Sequence, residues 1–141
     1  MVIFNTLDLK NINFFYNKNN TILKNLTTTI CSGKITALLG INGSGKTTLL
    51  KILTGILQPK SGSYYYNNSQ ITSENIIKYK SLLGFMPEYL QLYKNMYIKD
   101  VLKLLGDLKG YKNFDLDAIL DTVFLLEHSK KKIKDLSKGM K

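Results

Sequence analysis

Gly40-Ile41-Asn42-Gly43-Ser44-Gly45-Lys46-Thr47-Thr48 decides the reading of this chain, because it satisfies G-x-x-x-x-G-K-S/T at every fixed position. Directly upstream, Ile35-Thr36-Ala37-Leu38-Leu39 is a short apolar run of the kind that forms a strand buried on both faces of a parallel sheet. Downstream, Leu49, Leu50, Ile52, Leu53, Ile56 and Leu57 recur at helical spacing and predict an amphipathic helix that Pro59 stops. The expected order is strand, glycine-rich turn, helix N-terminus. Unpaired N–H groups and the positive end of the helix dipole then converge on one point, and that point suits a phosphate.

Each residue of the turn has a part in this reading. Gly43 and Gly45 permit backbone conformations that a Cβ blocks, so successive N–H groups of Asn42, Gly43, Ser44 and Gly45 can wrap a β-phosphate. Lys46 would reach the β/γ-phosphates and the Thr47 hydroxyl would ligate Mg²⁺. Thr48 would add a hydroxyl at the helix start, near the α-phosphate. The ligand class is a nucleoside triphosphate with its metal.

At 141 residues the chain suffices for one domain with its own core. Its 20 basic residues are all lysine and face 10 acids, a net charge of +10. Such a balance suits nucleic acid, an anionic membrane surface or polyphosphates. No run alternates aromatic with basic residues, however, and the lysine, asparagine and isoleucine content without arginine reads as coding bias, so nucleic acid is not an expected partner. Cys31 is the single cysteine, which excludes an internal disulfide and fits a reducing compartment. No segment approaches the roughly 18 apolar residues of a membrane span, and no secretory leader opens the sequence. The expected location is cytoplasmic, with any membrane role reached through a partner.

Around the turn, residues 2–16 alternate as two short strands, 3–9 and 12–16, and residues 22–30 return as a third. An antiparallel β unit therefore precedes the phosphate loop. Tyr16 lies where its strand could fold back over the site, and its ring could stack on adenine. Tyr64-Tyr65-Tyr66 predict a strand ended by Asn67-Asn68, residues 73–80 a short helix with Ser73 as cap, and residues 82–86 a strand ending at Pro87. Beyond Tyr89 the pattern becomes helical. Ile98, Val101, Leu102, Leu105 and Leu108 form one stripe, and Leu116, Ile119, Leu120, Val123 and Phe124 a second, with Asn113 and Asp115 as candidate caps. Both stripes read as core faces, His128 as an exposed histidine, and Lys130-Lys131-Lys132 as a solvated turn.

GINGSGKTT, LLGFMPE and LSKGM, in this order, resemble the nucleotide-binding domain of ATP-binding cassette transporters along the whole chain. The resemblance implies an α/β P-loop NTPase with an N-terminal antiparallel β unit and a helical subdomain: residues 1–87 carry the β unit and P-loop part, residues 88–141 the helical part. It implies that Tyr16 stacks on adenine and that Asn42, Gly43, Ser44, Gly45, Lys46, Thr47 and Thr48 hold the phosphates and Mg²⁺. It also implies that Ser137 and Gly139, the signature serine and second glycine, contact ATP on an opposite subunit. Glu88 stands where the family usually has a glutamine beside the metal, with Gln91 as a nearby alternative; Lys138 and Met140 also depart from the usual signature.

The family continues past the signature to a metal-binding aspartate, a catalytic glutamate and a switch histidine. The expectation is therefore an amino-terminal part that lacks the C-terminal half of the core, with Lys46 and Glu88 as supporting catalytic candidates. Two functions follow. One is the ATP-binding subunit of an exporter, peripheral on the inner membrane face through a permease and paired with a second nucleotide-binding subunit. The alternative is a nucleotide-binding or interaction fragment that hydrolyses nothing.

Overall fold

The computed structural model describes residues 5–87 and 93–140. Its backbone packing separates two compact units, Met1–Phe85 and Met86–Lys141.

In the first unit β1 (Thr6–Asn17), β2 (Asn20–Cys31), β3 (Ser61–Tyr66) and β4 (Ser69–Gln70) form one sheet in the order β2-β1-β3-β4, antiparallel throughout. Two helices accompany it, α1 (Lys46–Leu53) and α2 (Ile76–Ser81). Instead of the two short strands expected before residue 17, β1 is one strand interrupted by a bulge. The register shifts between Leu9 and Ile12, and Asn11 has φ +52°. Side chains replace the lost ladder bonds there: the Asn11 N–H donates to Thr27 Oγ1 at 3.0 Å, and the Asn25 N–H to Asn13 Oδ1 at 2.9 Å.

Period-2 alternation along β1 and β2 buries Leu9, Ile12, Phe14 and Leu23 in one cluster with Leu49, Ile52 and Leu53 of α1. Tyr64 and Tyr79 complete it. The β3–β4 turn, Asn67-Asn68, has φ +50° and +63°, as expected of asparagine in a tight hairpin.

Tyr79 ties α2 to the end of α1. Its hydroxyl donates to the Leu53 carbonyl at 2.5 Å, and its ring lies 6.1 Å from Tyr64 and 5.9 Å from Tyr66. Burial, reinforced by Tyr64 and Tyr66, pushes its hydroxyl from the ordinary 10 up to about 12. A folded-state value above the unfolded one gives stability that is complete below pH 10 and lost as pH rises toward 12. The loss expected across that window is about 2–3 kcal/mol. Urea unfolding between pH 8 and 12 tests this. Tyr79→Phe should lose about 1 kcal/mol at pH 8, because the Leu53 carbonyl loses its donor, yet show a flatter alkaline limb than the wild type.

Two expected strands are absent from the described sheet. Residues 35–39 form no strand, and Ile35, Leu39 and Ile41 are 102%, 88% and 82% exposed. A parallel strand buried on both faces needs neighbours at both edges and layers above and below. The antiparallel sheet of β1 to β4 supplies none of these to residues 35–39. Residues 82–86 likewise form no strand: Leu82 and Leu83 end α2 by hydrogen-bonding to Tyr79 and Lys80, and Leu82 and Phe85 remain exposed. The α2 helix also starts later than expected. Asn75, not Ser73, occupies its cap position and folds the approach by accepting the Thr72 N–H at 2.9 Å.

The second unit holds α3 (Ile98–Leu108), α4 (Leu116–Thr122) and three 3₁₀ turns at Leu126–His128, Ile133–Asp135 and Lys138–Met140. Asp115 caps α4 by accepting from the N–H groups of Asp117 and Ala118 at 3.0 and 3.1 Å. Of the two apolar stripes, Ile98, Val101 and Leu120 are buried, together with Ile133 and Leu136. Leu105, Leu108, Val123 and Phe124 are exposed, so the stripes are core faces only where the Ile133–Leu136 stretch covers them. Gly106, which lowers helix propensity, makes room for Phe114; a Cβ there would lie 2.1 Å from its ring.

Candidate functional site

The phosphate loop runs without regular structure into α1. Gly43 has φ +82° and Gly45, the α1 cap residue, φ +93°. Both are left-handed conformations that glycine adopts freely. The turn is pinned by the Ser44 N–H donating to the Ile41 carbonyl at 3.3 Å. The first helical bond of α1 runs from the Leu49 N–H to the Gly45 carbonyl, at 2.8 Å. The N–H groups of Lys46, Thr47 and Thr48 precede it and have no intrahelical acceptor. With no acidic residue in this first turn, nothing there opposes an anion.

Lys46 bends back over the loop. Its Nζ donates to the carbonyls of Gly40 and Ile41, each at 2.7 Å. An ammonium held by two neutral carbonyls of the turn it follows can exchange them for stronger, anionic acceptors. Thr47 is exposed beside it, and its hydroxyl is free to meet solvent or a metal. Such hard oxygen donors suit Mg²⁺, which keeps most of its water and accepts few protein ligands.

Gly45 rests on β2. A Cβ at this position would meet Ile22 Cγ2 and Leu23 Cδ2, each at 3.0 Å. These two residues form a floor that the motif does not reveal; the only signal was their place in an apolar strand. Tyr16 reaches the site from the end of β1. Its ring packs edge-on against Phe14, with centroids 5.0 Å apart at 84°, and its hydroxyl lies 3.3 Å from Thr48 Oγ1. Lys60 stands over Phe14 and Phe15, at 5.9 and 5.7 Å from their centroids. It is a second cation on this part of the sheet.

The first unit thus brings Tyr16, Thr48 and the loop of residues 40–47 together. Ser137 and Gly139 belong to the second unit, where both are exposed beside buried Leu136. The Met140 N–H donates to the Ser137 carbonyl at 3.2 Å, closing the signature segment into a turn. Glu88 and Gln91 lie outside the described residues. Among the described residues no group of three or more His, Cys, Asp or Glu side chains could hold a metal ion by itself. No described helix is long and apolar enough to cross a membrane.

Within the first unit the phosphate loop joins β2 to the N-terminus of α1, an arrangement suited to a nucleotide's phosphates, and known proteins that resemble the chain identify its kind. The ABC transporter family matches residues 23–141, and the chain belongs to that family. It is 34% identical over 135 residues to the lantibiotic transport ATP-binding protein SrtF of Streptococcus pyogenes, covering 96% of this chain and 57% of that relative. Among solved structures, an ABC transporter ATP-binding protein from Pyrococcus furiosus superimposes with a TM-score of 0.78 and 32% identity, over 95% of this chain and 64% of that one. The dimeric bacterial ABC transporter cassette MJ0796 superimposes at 0.76 over the same shares with 21% identity, which speaks for the fold alone. The chain therefore has the fold of an ABC ATPase cassette and spans little more than half the length of that curated relative.

Proposed function

We propose that this chain is the nucleotide-grasping part of an ABC transporter ATP-binding subunit, which couples ATP binding and hydrolysis to export of a substrate through a membrane permease. The observation that carries this is the loop of residues 40–48: positive-φ glycines, open first-turn N–H groups and the Lys46 ammonium converge on one mouth. Tyr16 supplies an aromatic for adenine. Asn42, Gly43, Ser44 and Gly45 offer backbone N–H groups to the β-phosphate, Lys46 binds the β/γ-phosphates, and Thr48 serves the phosphate chain. Thr47 and Glu88 hold Mg²⁺, which neutralises charge on the phosphate oxygens. Ser137 and Gly139 complete the site of a second nucleotide-binding subunit. Residues 1–87 and 88–141 act as the grasping and the helical parts, and the subunit sits on the cytoplasmic face through its permease.

The second reading, a module that binds nucleotide without hydrolysing it, also has an observation in its favour. Residues 5–87 contain two carboxylates, Asp8 and Glu74. Asp8 already accepts from the hydroxyls of Thr6 and Thr29, which hold its carboxyl below the ordinary range. A base that polarises water must come from elsewhere.

Titration of the purified chain with a fluorescent ATP analogue, with and without Mg²⁺, tests the shared step, and phosphate release separates the two readings. Saturable binding that unlabelled ATP reverses is expected. Turnover by the chain alone, or by the chain paired with an intact ATP-binding subunit above that subunit's own rate, would favour the enzymatic reading, and binding without turnover in either case the second. Absence of competable binding would refute both.

A further inference from the structure

Thr48 is the one buried polar residue among those described, at 6% exposure, and its hydroxyl does something unusual for a helix. A threonine in a helix commonly returns its hydroxyl to the carbonyl one turn back, as Thr122 of α4 does to Ala118 at 2.8 Å. The described partner of Thr48 Oγ1 is instead the Tyr16 hydroxyl on β1, at 3.3 Å. We propose that the Tyr16 hydroxyl positions the Thr48 hydroxyl for the phosphate chain, so that this residue recognises the phosphates as well as the base. The inference rests on the nucleotide-binding reading above and adds a coupling between its two ends.

Each hydroxyl carries one proton and can also accept. The phenol is the stronger donor. With Tyr16 donating, the Thr48 proton stays available for an anion at the α1 N-terminus, beside the open N–H groups of Lys46 and Thr47. The Phe14 ring, edge-on to Tyr16, limits the swing of the phenol. The ring face and the hydroxyl then have separable roles: removing the hydroxyl alone should weaken ligands that have phosphates but no base.

Binding of MgATP and of Mg²⁺ with inorganic triphosphate to the full chain is the test, on wild type, Tyr16→Phe, Thr48→Val and the double variant. Tyr16→Phe should weaken both ligands by the same factor, roughly three- to tenfold, and lower the unfolding midpoint of the free protein modestly because the buried Thr48 hydroxyl loses its described partner. Thr48→Val should weaken triphosphate at least as much, and the double variant no further. Unchanged triphosphate binding in Tyr16→Phe, or factors that multiply in the double variant, would overturn the coupling alone. If Tyr16→Phe unfolds, Thr48→Val decides: triphosphate binding equal to wild type overturns the proposal. A wild-type chain that binds neither ligand overturns the nucleotide site itself.

Discussion

Lys46→Ala is expected to lower the affinity for MgATP by about two orders of magnitude while leaving the chain folded. The Lys46 ammonium donates to the Gly40 and Ile41 carbonyls at 2.7 Å, which holds it against the loop without a ligand. Phosphate oxygens are stronger acceptors than neutral carbonyls, so the ammonium gains on exchanging one for the other. A charge-assisted bond of this kind contributes roughly 1.5–3 kcal/mol, and the upper end corresponds to the predicted loss. In the variant, water can replace Nζ on the two carbonyls because the loop is exposed, so the unfolding midpoint should move little. Lys46→Arg is not expected to rescue binding: a planar fork cannot reproduce a point charge at the end of a flexible stem. Titration with the fluorescent analogue reads the effect. Affinity within threefold of wild type would show that Lys46 holds the turn and not the ligand.

What could be read from sequence divides according to where the partners of each residue lie. The phosphate loop and the start of α1 are local: glycine spacing, the lysine and the apolar periodicity specify them within twenty residues of chain, but the helix that periodicity carries to Pro59 ends at Leu53, just before Gly55 turns the chain at φ +69°. Asp115 as a cap and the β1–β2 pairing are local in the same sense. Residues 35–39 and 82–86 have the composition of buried strands, but composition states only that apolar neighbours are wanted. It does not supply them, and the described sheet leaves Ile35 and Leu39 in solvent. The Tyr16–Thr48 contact spans 32 positions and depends on the β1 bulge and on the Phe14 ring, neither of which has a sequence signature. Glycines show the same divide. Gly43 and Gly45 announce themselves by motif, whereas Gly62, near the start of β3 and in no special pattern, is the most tightly enclosed by backbone.

Gly62→Ala should cost the first unit about 3 kcal/mol or more. Gly62 has φ +87°, and a Cβ there would sit 2.3 Å from the Asn11 carbonyl oxygen and 2.6 Å from that of Lys10. Both obstacles are main-chain atoms, so no rotamer change relieves them. They also belong to the bulge, where Asn11 is already held by Thr27 and Asn13 by Asn25. Either β3 moves off β1 between the Lys10–Ser63 and Asn13–Ser61 pairings, or the bulge opens and its side-chain bonds break. Gly33→Ala separates this clash from conformational strain alone: Gly33 has φ +72° but nothing within 4 Å of a Cβ. That variant should lose only about 1 kcal/mol. Urea unfolding of the two variants gives the comparison. A Gly62→Ala loss no larger than that of Gly33→Ala would mean that the bulge yields easily. A much larger loss would mark the bulge as the fixed point that sets where β1 ends, and with it where Tyr16 stands.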